Sequence, residues 1–124
     1  MDMPGKIMIV EDNPVNLKLA GDLLEIDGFE VYRCADAESA LQGLAQFQPD
    51  LILMDVALPG MDGLTLTRKL KSDERTKKIK ILALTAFAMK SDRERVMSAG
   101  CDGYITKPID TRKFSSQINS YLTA

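Results

Sequence analysis

Pro49-Asp50-Leu51-Ile52-Leu53-Met54-Asp55-Val56 decides the fold of this chain. Four consecutive apolar residues run into an aspartate, and Leu58-Pro59-Gly60-Met61-Asp62-Gly63 follows at once. An unbroken apolar run bounded by turn residues is the pattern of a strand buried on both faces of a parallel sheet. A carboxylate at the C-terminal end of such a strand sits where open α/β sheets place their ligands. Asp55 is therefore the position around which the remaining sequence is read.

Upstream, Lys6-Ile7-Met8-Ile9-Val10 forms a compact apolar strand ending in Glu11-Asp12. Asn13 can cap a helix and Pro14 suits its first turn. Leu17, Ala20, Leu23 and Leu24 recur at helical spacing, with Gly28 as the terminating residue. Phe29 to Cys34 reads as a second strand. Asp36 opens a helix with the stripe Ala37, Ala40, Leu41 and Leu44, which Pro49 stops before the central strand.

Downstream, a helix from about Gly63 to Leu70 uses Leu66 and Leu70. Ser72 to Lys80 carries six charged residues in nine and reads as a solvated loop. Ile81 to Leu84 is a fourth strand closing in Thr85-Ala86. Ser91-Asp92-Arg93-Glu94 has the form of a capping box opening a helix that ends at Gly100. Cys101 to Ile105 holds a short fifth strand, ended by Thr106-Lys107-Pro108. Asp110 caps a last helix with Phe114, Ile118, Tyr121 and Leu122 on one face. Strand and helix thus alternate five times with short connections, which requires a parallel sheet covered on both faces. The expected class is α/β, a doubly wound (βα)5 fold with a five-stranded parallel sheet in the flavodoxin-like order 2-1-3-4-5.

The 124 residues suit one domain, placed at residues 6–122, with no output domain expected. Hydrophobic residues make up 45% and charged residues 27%, an ordinary globular composition. A net charge of -2 gives no electrostatic footprint for nucleic acid. No apolar run approaches the roughly 20 residues that span a bilayer, so a cytoplasmic protein without membrane contact is expected. Cys34 and Cys101 have no metal-type spacing and read as reduced thiols. The chain contains no histidine, so any histidine chemistry must come from another molecule.

The residues that end the strands carry the functional signal. Glu11-Asp12, Asp55, Thr85 and Lys107 end strands 1, 3, 4 and 5, all on one edge of a parallel sheet. Singly, each has a plainer explanation as a loop, a cap, a backbone-bonding hydroxyl or a surface charge. Together they set three carboxylates beside one hydroxyl and one ammonium. Clustered carboxylates raise the pKa of at least one member unless a cation intervenes. Hard oxygen donors without His or Cys indicate Mg²⁺, with Mn²⁺ as a substitute. Asp55 could then attack phosphorus as a carboxylate nucleophile, with Mg²⁺, Lys107 and Thr85 receiving the phosphoryl oxygens.

With Val10-Glu11-Asp12-Asn13, Leu53-Met54-Asp55-Val56, Leu84-Thr85-Ala86 and Tyr104-Ile105-Thr106-Lys107-Pro108 in place, the chain resembles a response-regulator receiver domain of two-component signalling. The resemblance runs from about Lys6 to Leu122. It implies that Asp55 accepts a phosphoryl group from a partner's phosphohistidine, on a sensor histidine kinase or a histidine phosphotransfer protein. It implies Mg²⁺ held by Asp12, Asp55 and the main-chain carbonyl of Ala57, with Glu11 acting directly or through water. Thr85 and Tyr104 match the family's switch pair, Lys107 contacts the phosphoryl group, and the Lys107–Pro108 bond is expected to be cis. The acidic pair is Glu-Asp where many members carry Asp-Asp. Thr85-Ala86-Phe87-Ala88-Met89-Lys90 and Gly100-Cys101-Asp102-Gly103-Tyr104 further resemble the DivK type of single-domain regulators, a pattern shared by receivers of hybrid histidine kinases.

The expected mechanism is a two-state switch rather than an enzyme, with phosphorylation of Asp55 shifting a pre-existing equilibrium. Its readout is expected on the surface of the fourth helix, fifth strand and fifth helix, with Phe87, Ala88 and Met89 as contact residues. A protein target, and a monomer or weak dimer, follow from that reading, as does the alternative role of phosphate shuttle. A haloacid-dehalogenase-type phosphohydrolase would need an acid/base Asp where Ala57 stands. A flavin- or nucleotide-binding module would need a phosphate loop where Glu11-Asp12 would repel an anion.

Overall fold

The computed structural model describes residues 5–58, 60–86 and 90–122. Its strands are β1 (Lys6–Val10), β2 (Glu30–Cys34), β3 (Leu51–Asp55), β4 (Lys80–Thr85) and β5 (Gly103–Thr106). The helices are α1 (Pro14–Ile26), α2 (Ala37–Gly43), α3 (Gly63–Lys71), α4 (Lys90–Ser98) and α5 (Phe114–Leu122). All strand pairings are parallel, in the order β2-β1-β3-β4-β5. The doubly wound sheet read from the alternating pattern is the one observed.

Strand periodicity sorts the core into two layers, because successive side chains point to opposite faces. Ile7, Ile9, Leu51, Leu53, Leu82 and Leu84 pack with Ala20 and Leu24 of α1 and with Phe114 and Ile118 of α5. Met8, Val10, Ile52, Met54, Ile81 and Ala83 pack with α2, with Leu64, Leu66 and Leu70 of α3, and with Val96 of α4. Every residue of β3 is buried. That is why its run is continuous rather than alternating.

Several helix ends follow their sequence signals. Asn13 accepts from the amides of Val15 and Asn16, and Asp62 accepts from the Thr65 amide at the start of α3. Gly28 and Gly100 follow α1 and α4 with φ of 93° and 103°, the left-handed conformation that favours glycine.

Several boundaries differ from the sequence reading: β4 already begins at Lys80, β5 runs Gly103–Thr106 rather than within Cys101–Ile105, and three helix ends shift. Lys90 is already helical, so Ser91 lies inside the first turn of α4 rather than ahead of it. The helix α2 ends at Gly43, well before Pro49; a Cβ at Gly43 would press on the Tyr32 ring, which occupies that space. Asp110 accepts from the Arg112 amide and starts a turn that leads into α5 only at Phe114.

Candidate functional site

Parallel strands bring their C-terminal ends to one edge, and short main-chain bonds continue the ladder past the last strand residues. The Glu11 amide donates to the Cys34 carbonyl, Val56 to Leu84 and Lys107 to Thr85, at 3.0, 3.2 and 2.7 Å. The side chains that end β1, β3, β4 and β5 therefore emerge from a rigid frame. Gly63 keeps that frame tight: a Cβ there would collide with the Asp55 carbonyl, so only glycine lets α3 start this close to β3.

Glu11, Asp12 and Asp55 each offer a carboxylate oxygen within 4.8 Å of the others. Glu11 and Asp55 are 1% and 2% exposed, whereas Asp12 is open to solvent. Lys107 Nζ is the cation among them, 3.1 Å from Glu11 Oε1 and 3.3 Å from Asp55 Oδ2. Asp55 Oδ1 accepts from the Ala57 amide at 3.0 Å, and Glu11 Oε2 from the Asn13 amide at 3.2 Å. Glu11 Oε1 is buried with the ion pair to Lys107 but without a well-oriented hydrogen bond.

These surroundings split the two buried carboxyls. Burial, followed by the hydrogen bond to Asp55, pushes Glu11 up to about 7 against the pull of the Asn13 amide and Lys107. Burial opposes ionisation of Asp55 too, but Glu11, the Ala57 amide and Lys107 together hold its carboxyl below the usual range. The two shifts run in opposite directions, Glu11 upward and Asp55 downward, so Asp55 is the carboxyl of the pair that favours the ionised form. Burial disfavours the Lys107 charge, yet both carboxylates raise its pKa further, so it stays an ammonium.

The donor set fits a small hard cation. An octahedral Mg²⁺ with ligands at about 2.1 Å spans about 4.2 Å between opposite oxygens, close to the spread of these three. All the donors are oxygens, and the buried Glu11 Oε1 has lone-pair capacity left unused.

A cavity of about 200 Å³ opens beside the acidic cluster, with Asp55, Thr85 and Lys107 among the residues that line it. Thr85 is 4% exposed. Tyr104 is half-buried in β5, two residues before Thr106, the register partner of Thr85, and it packs on the α2, α3 and α4 layer. The Lys107–Pro108 peptide is cis. The residues Phe87, Ala88 and Met89, expected to contact a target, lie outside the described residues.

Two residues in this cavity carry no signal in the sequence reading: Asp92 and Arg95 of α4 also line it. Their spacing of three, followed by the buried Val96, puts them on the inward flank of the helix. That spacing was the available clue.

The sheet order, the buried Asp at the end of β3 and the acidic cluster at its edge define a receiver. The response regulator receiver domain family matches residues 7–119, and the chain belongs to it. It is similar to the polar-differentiation response regulator DivK of Brucella anthropi, 48% identical over 97% of this chain and 98% of that protein. Among solved structures it resembles the receiver domain of a sensor histidine kinase from Pseudomonas aeruginosa, which has a magnesium ion coordinated in its active-site cleft. That likeness has a TM-score of 0.88 and 33% identity, covering 98% of this chain and 99% of the other. The signal receiver domain of a histidine kinase from Syntrophus aciditrophicus matches at TM-score 0.87 and 33% identity, over 96% and 90% of the two chains. Among the described residues no helix is long and apolar enough to cross a membrane.

Proposed function

We propose that this chain is a phosphorylation-dependent signalling switch whose phosphoacceptor is Asp55. The observation that carries the reading is the convergence of Glu11, Asp12, Asp55 and Lys107 at the C-terminal edge of the sheet, beside a cavity. Asp55 is buried, held below the usual carboxylate range and paired with the Lys107 ammonium at 3.3 Å, on the lining of that cavity. An Asp55 oxygen attacks the phosphorus of a phosphohistidine on a sensor kinase or phosphotransfer protein. The P–N bond breaks, and its electron pair stays on the imidazole nitrogen, which takes up a proton from solvent. Bound Mg²⁺ supplies charge neutralisation for the phosphoryl oxygens, and Glu11, Asp12, Asp55 and the Ala57 carbonyl would hold it. Lys107 neutralises an oxygen of the transferred group, and the Thr85 hydroxyl donates to another.

The switch pair is Thr85 with Tyr104. Movement of the hydroxyl toward the phosphoryl group opens room for the half-buried ring to turn inward. The altered surface is that of α4, β5 and α5, read by a protein target in the cytoplasm. Met97, 49% exposed on α4, offers apolar contact area on that surface. The protein works as a receiver, and the phosphotransfer is the only chemistry it performs on itself. The likeness to receivers of two histidine kinases supports a second reading, a phosphate shuttle or the receiver of a hybrid kinase.

The test is intact mass after incubation with acetyl phosphate, with and without Mg²⁺, beside Asp55→Asn. The expected outcome is a Mg²⁺-dependent, base-labile adduct that the substitution abolishes. An adduct that persists in Asp55→Asn would overturn the assignment.

A further inference from the structure

We propose that Arg95 is a positioning residue for the phosphoryl group: it moves from Asp92 to the phosphorylated Asp55 and draws α4 with it. This rests on the reading of Asp55 as phosphoacceptor. Glu11, Asp12 and Asp55 bring three negative charges, and Lys107 with a bound Mg²⁺ would match them. Converting the Asp55 carboxylate to an acyl phosphate adds about one more negative charge. Lys107 is already committed to two carboxylates at 3.1 and 3.3 Å. Lys107 can meet part of the added charge while it holds Glu11, and in the wall of the same cavity the described residues provide a further cation, Arg95.

Three features suit Arg95 to that task. Its guanidinium carries five donors in a planar fork that matches phosphoryl oxygens. Its present partner, Asp92 one turn earlier, lies 3.9 Å away, a loose pair with the arginine side chain 70% exposed. Asp92 itself lines the cavity, so the competing anion is at hand as a resting position. The helix that carries both residues is lightly anchored, since Val96 is the buried side chain within α4. A modest electrostatic pull can therefore shift it against the sheet, and α4 borders the surface proposed for the output.

The cavity walls separate this role from a general surface charge. Val56, Leu64 and Val96 give the cavity apolar lining, so an arginine entering it leaves bulk water and is screened less than at the surface. Arg93, two positions away, is also exposed but does not line the cavity and serves as the internal comparison.

The test uses the full chain with Mg²⁺ and beryllium fluoride, BeF₃⁻ standing in for the phosphoryl group, followed by fluorine NMR. In the wild type an adduct should form that Asp55→Asn abolishes. Arg95→Gln should raise the half-saturating concentration about threefold to tenfold, the change expected of one partly screened charge-assisted contact. Arg95→Lys should recover part of the affinity, the share due to charge without the fork, Asp92→Asn should lower the midpoint about twofold by freeing the guanidinium, and Arg93→Gln should match the wild type. An unchanged midpoint in Arg95→Gln, with the wild-type adduct intact, would overturn the role of Arg95 alone. A rise that Arg95→Lys leaves wholly unrelieved would show that charge at this position does not matter, and would overturn it as well. Absence of any Asp55-dependent adduct in the wild type would remove the phosphoacceptor reading and this inference together.

Discussion

At the N-terminal edge of the sheet, Lys71 Nζ donates to the Ile79 carbonyl at 2.7 Å and to Asp102 Oδ2 at 2.9 Å. Asp102 Oδ2 also accepts from the Ile81 amide at 2.8 Å, and the Asp102 amide donates to the Ile81 carbonyl at 2.7 Å. One cation meets one anion there; Lys71 is tied to the main chain just ahead of β4 and Asp102 to the Ile81 main chain within it. At the C-terminal edge, Lys107 pairs with two members of a three-carboxylate cluster, and Glu11 Oε1 is left without an oriented donor. The same residue types make a clasp at one end and an unbalanced site at the other. A balanced cluster contributes stability; an unbalanced one stores affinity for whatever cation or phosphoryl group completes it.

The comparison is sharpened most by pH. Glu11 titrates at about 7 in the fold against an ordinary value of 4.5. A raised carboxyl pKa means that the folded state binds the proton more tightly than the unfolded chain. That contribution is fully present below 4.5 and is lost as pH rises through 7. Asp55, held below 3.8, contributes in the opposite sense: its share is present above 3.8 and is lost as pH falls through its folded value. Urea unfolding in EDTA should therefore show about 3 kcal/mol less stability at pH 8 than at pH 5. Glu11→Gln should flatten this slope, and Mg²⁺ at pH 8 should recover the loss, because the metal takes the place of the proton. A flat profile in the wild type would mean that the C-terminal edge is balanced after all.

The clasp should respond next. Asp102→Ala strips Lys71 of its anion and the Ile81 amide of an acceptor, with side chains 21% and 31% exposed in the native pair. A loss of about 2 kcal/mol is expected in urea unfolding, because partly buried groups are left unpaired. Adduct formation with acetyl phosphate should stay within about twofold of wild type, since the clasp lies at the far end of the strands. Breaking the clasp without a loss of stability would remove the contrast between the two edges.

The sequence shows these two edges unequally. Strand order and the acidic edge are legible because buried parallel strands are written as apolar runs and their ends as abrupt polar residues. Asp55 after Leu51-Ile52-Leu53-Met54 is one such end. The clasp is not legible, because Lys71 reaches over the charged segment to the carbonyls of Lys77 and Ile79, contacts made after a chain reversal that no local pattern encodes. That segment reads as a solvated loop. Five of its nine residues are indeed exposed, and Thr76 Oγ1 still donates to the Leu70 carbonyl at 2.6 Å. The start of α4 is missed for a different reason: Ser91 and Glu94 satisfy the capping-box pattern while lying inside a helix that Lys90 already belongs to. Arg95 is missed because α4 buries so little that its inward flank has no apolar stripe to mark it.

The smallest expected effect concerns the link between the edges. The helix α3 runs antiparallel to the strands, from Gly63 beside the Asp55 carbonyl to Lys71 in the clasp. Midway, the Thr67 hydroxyl donates to the Gly63 carbonyl at 2.8 Å and lies 3.9 Å from the Cys101 thiol. If α3 transmitted strain between the edges, substitutions at both ends would couple through it. The two clusters share no side chain, and rigid packing of Leu66 and Leu70 on the sheet isolates one from the other. A double-mutant cycle of Glu11→Gln with Asp102→Ala, read by urea unfolding at pH 8 in EDTA, should therefore give a coupling below about 0.5 kcal/mol. A coupling well above that value would make α3 a mechanical link. The clasp would then belong to the switch, and the balance at one edge would be set partly by the imbalance at the other.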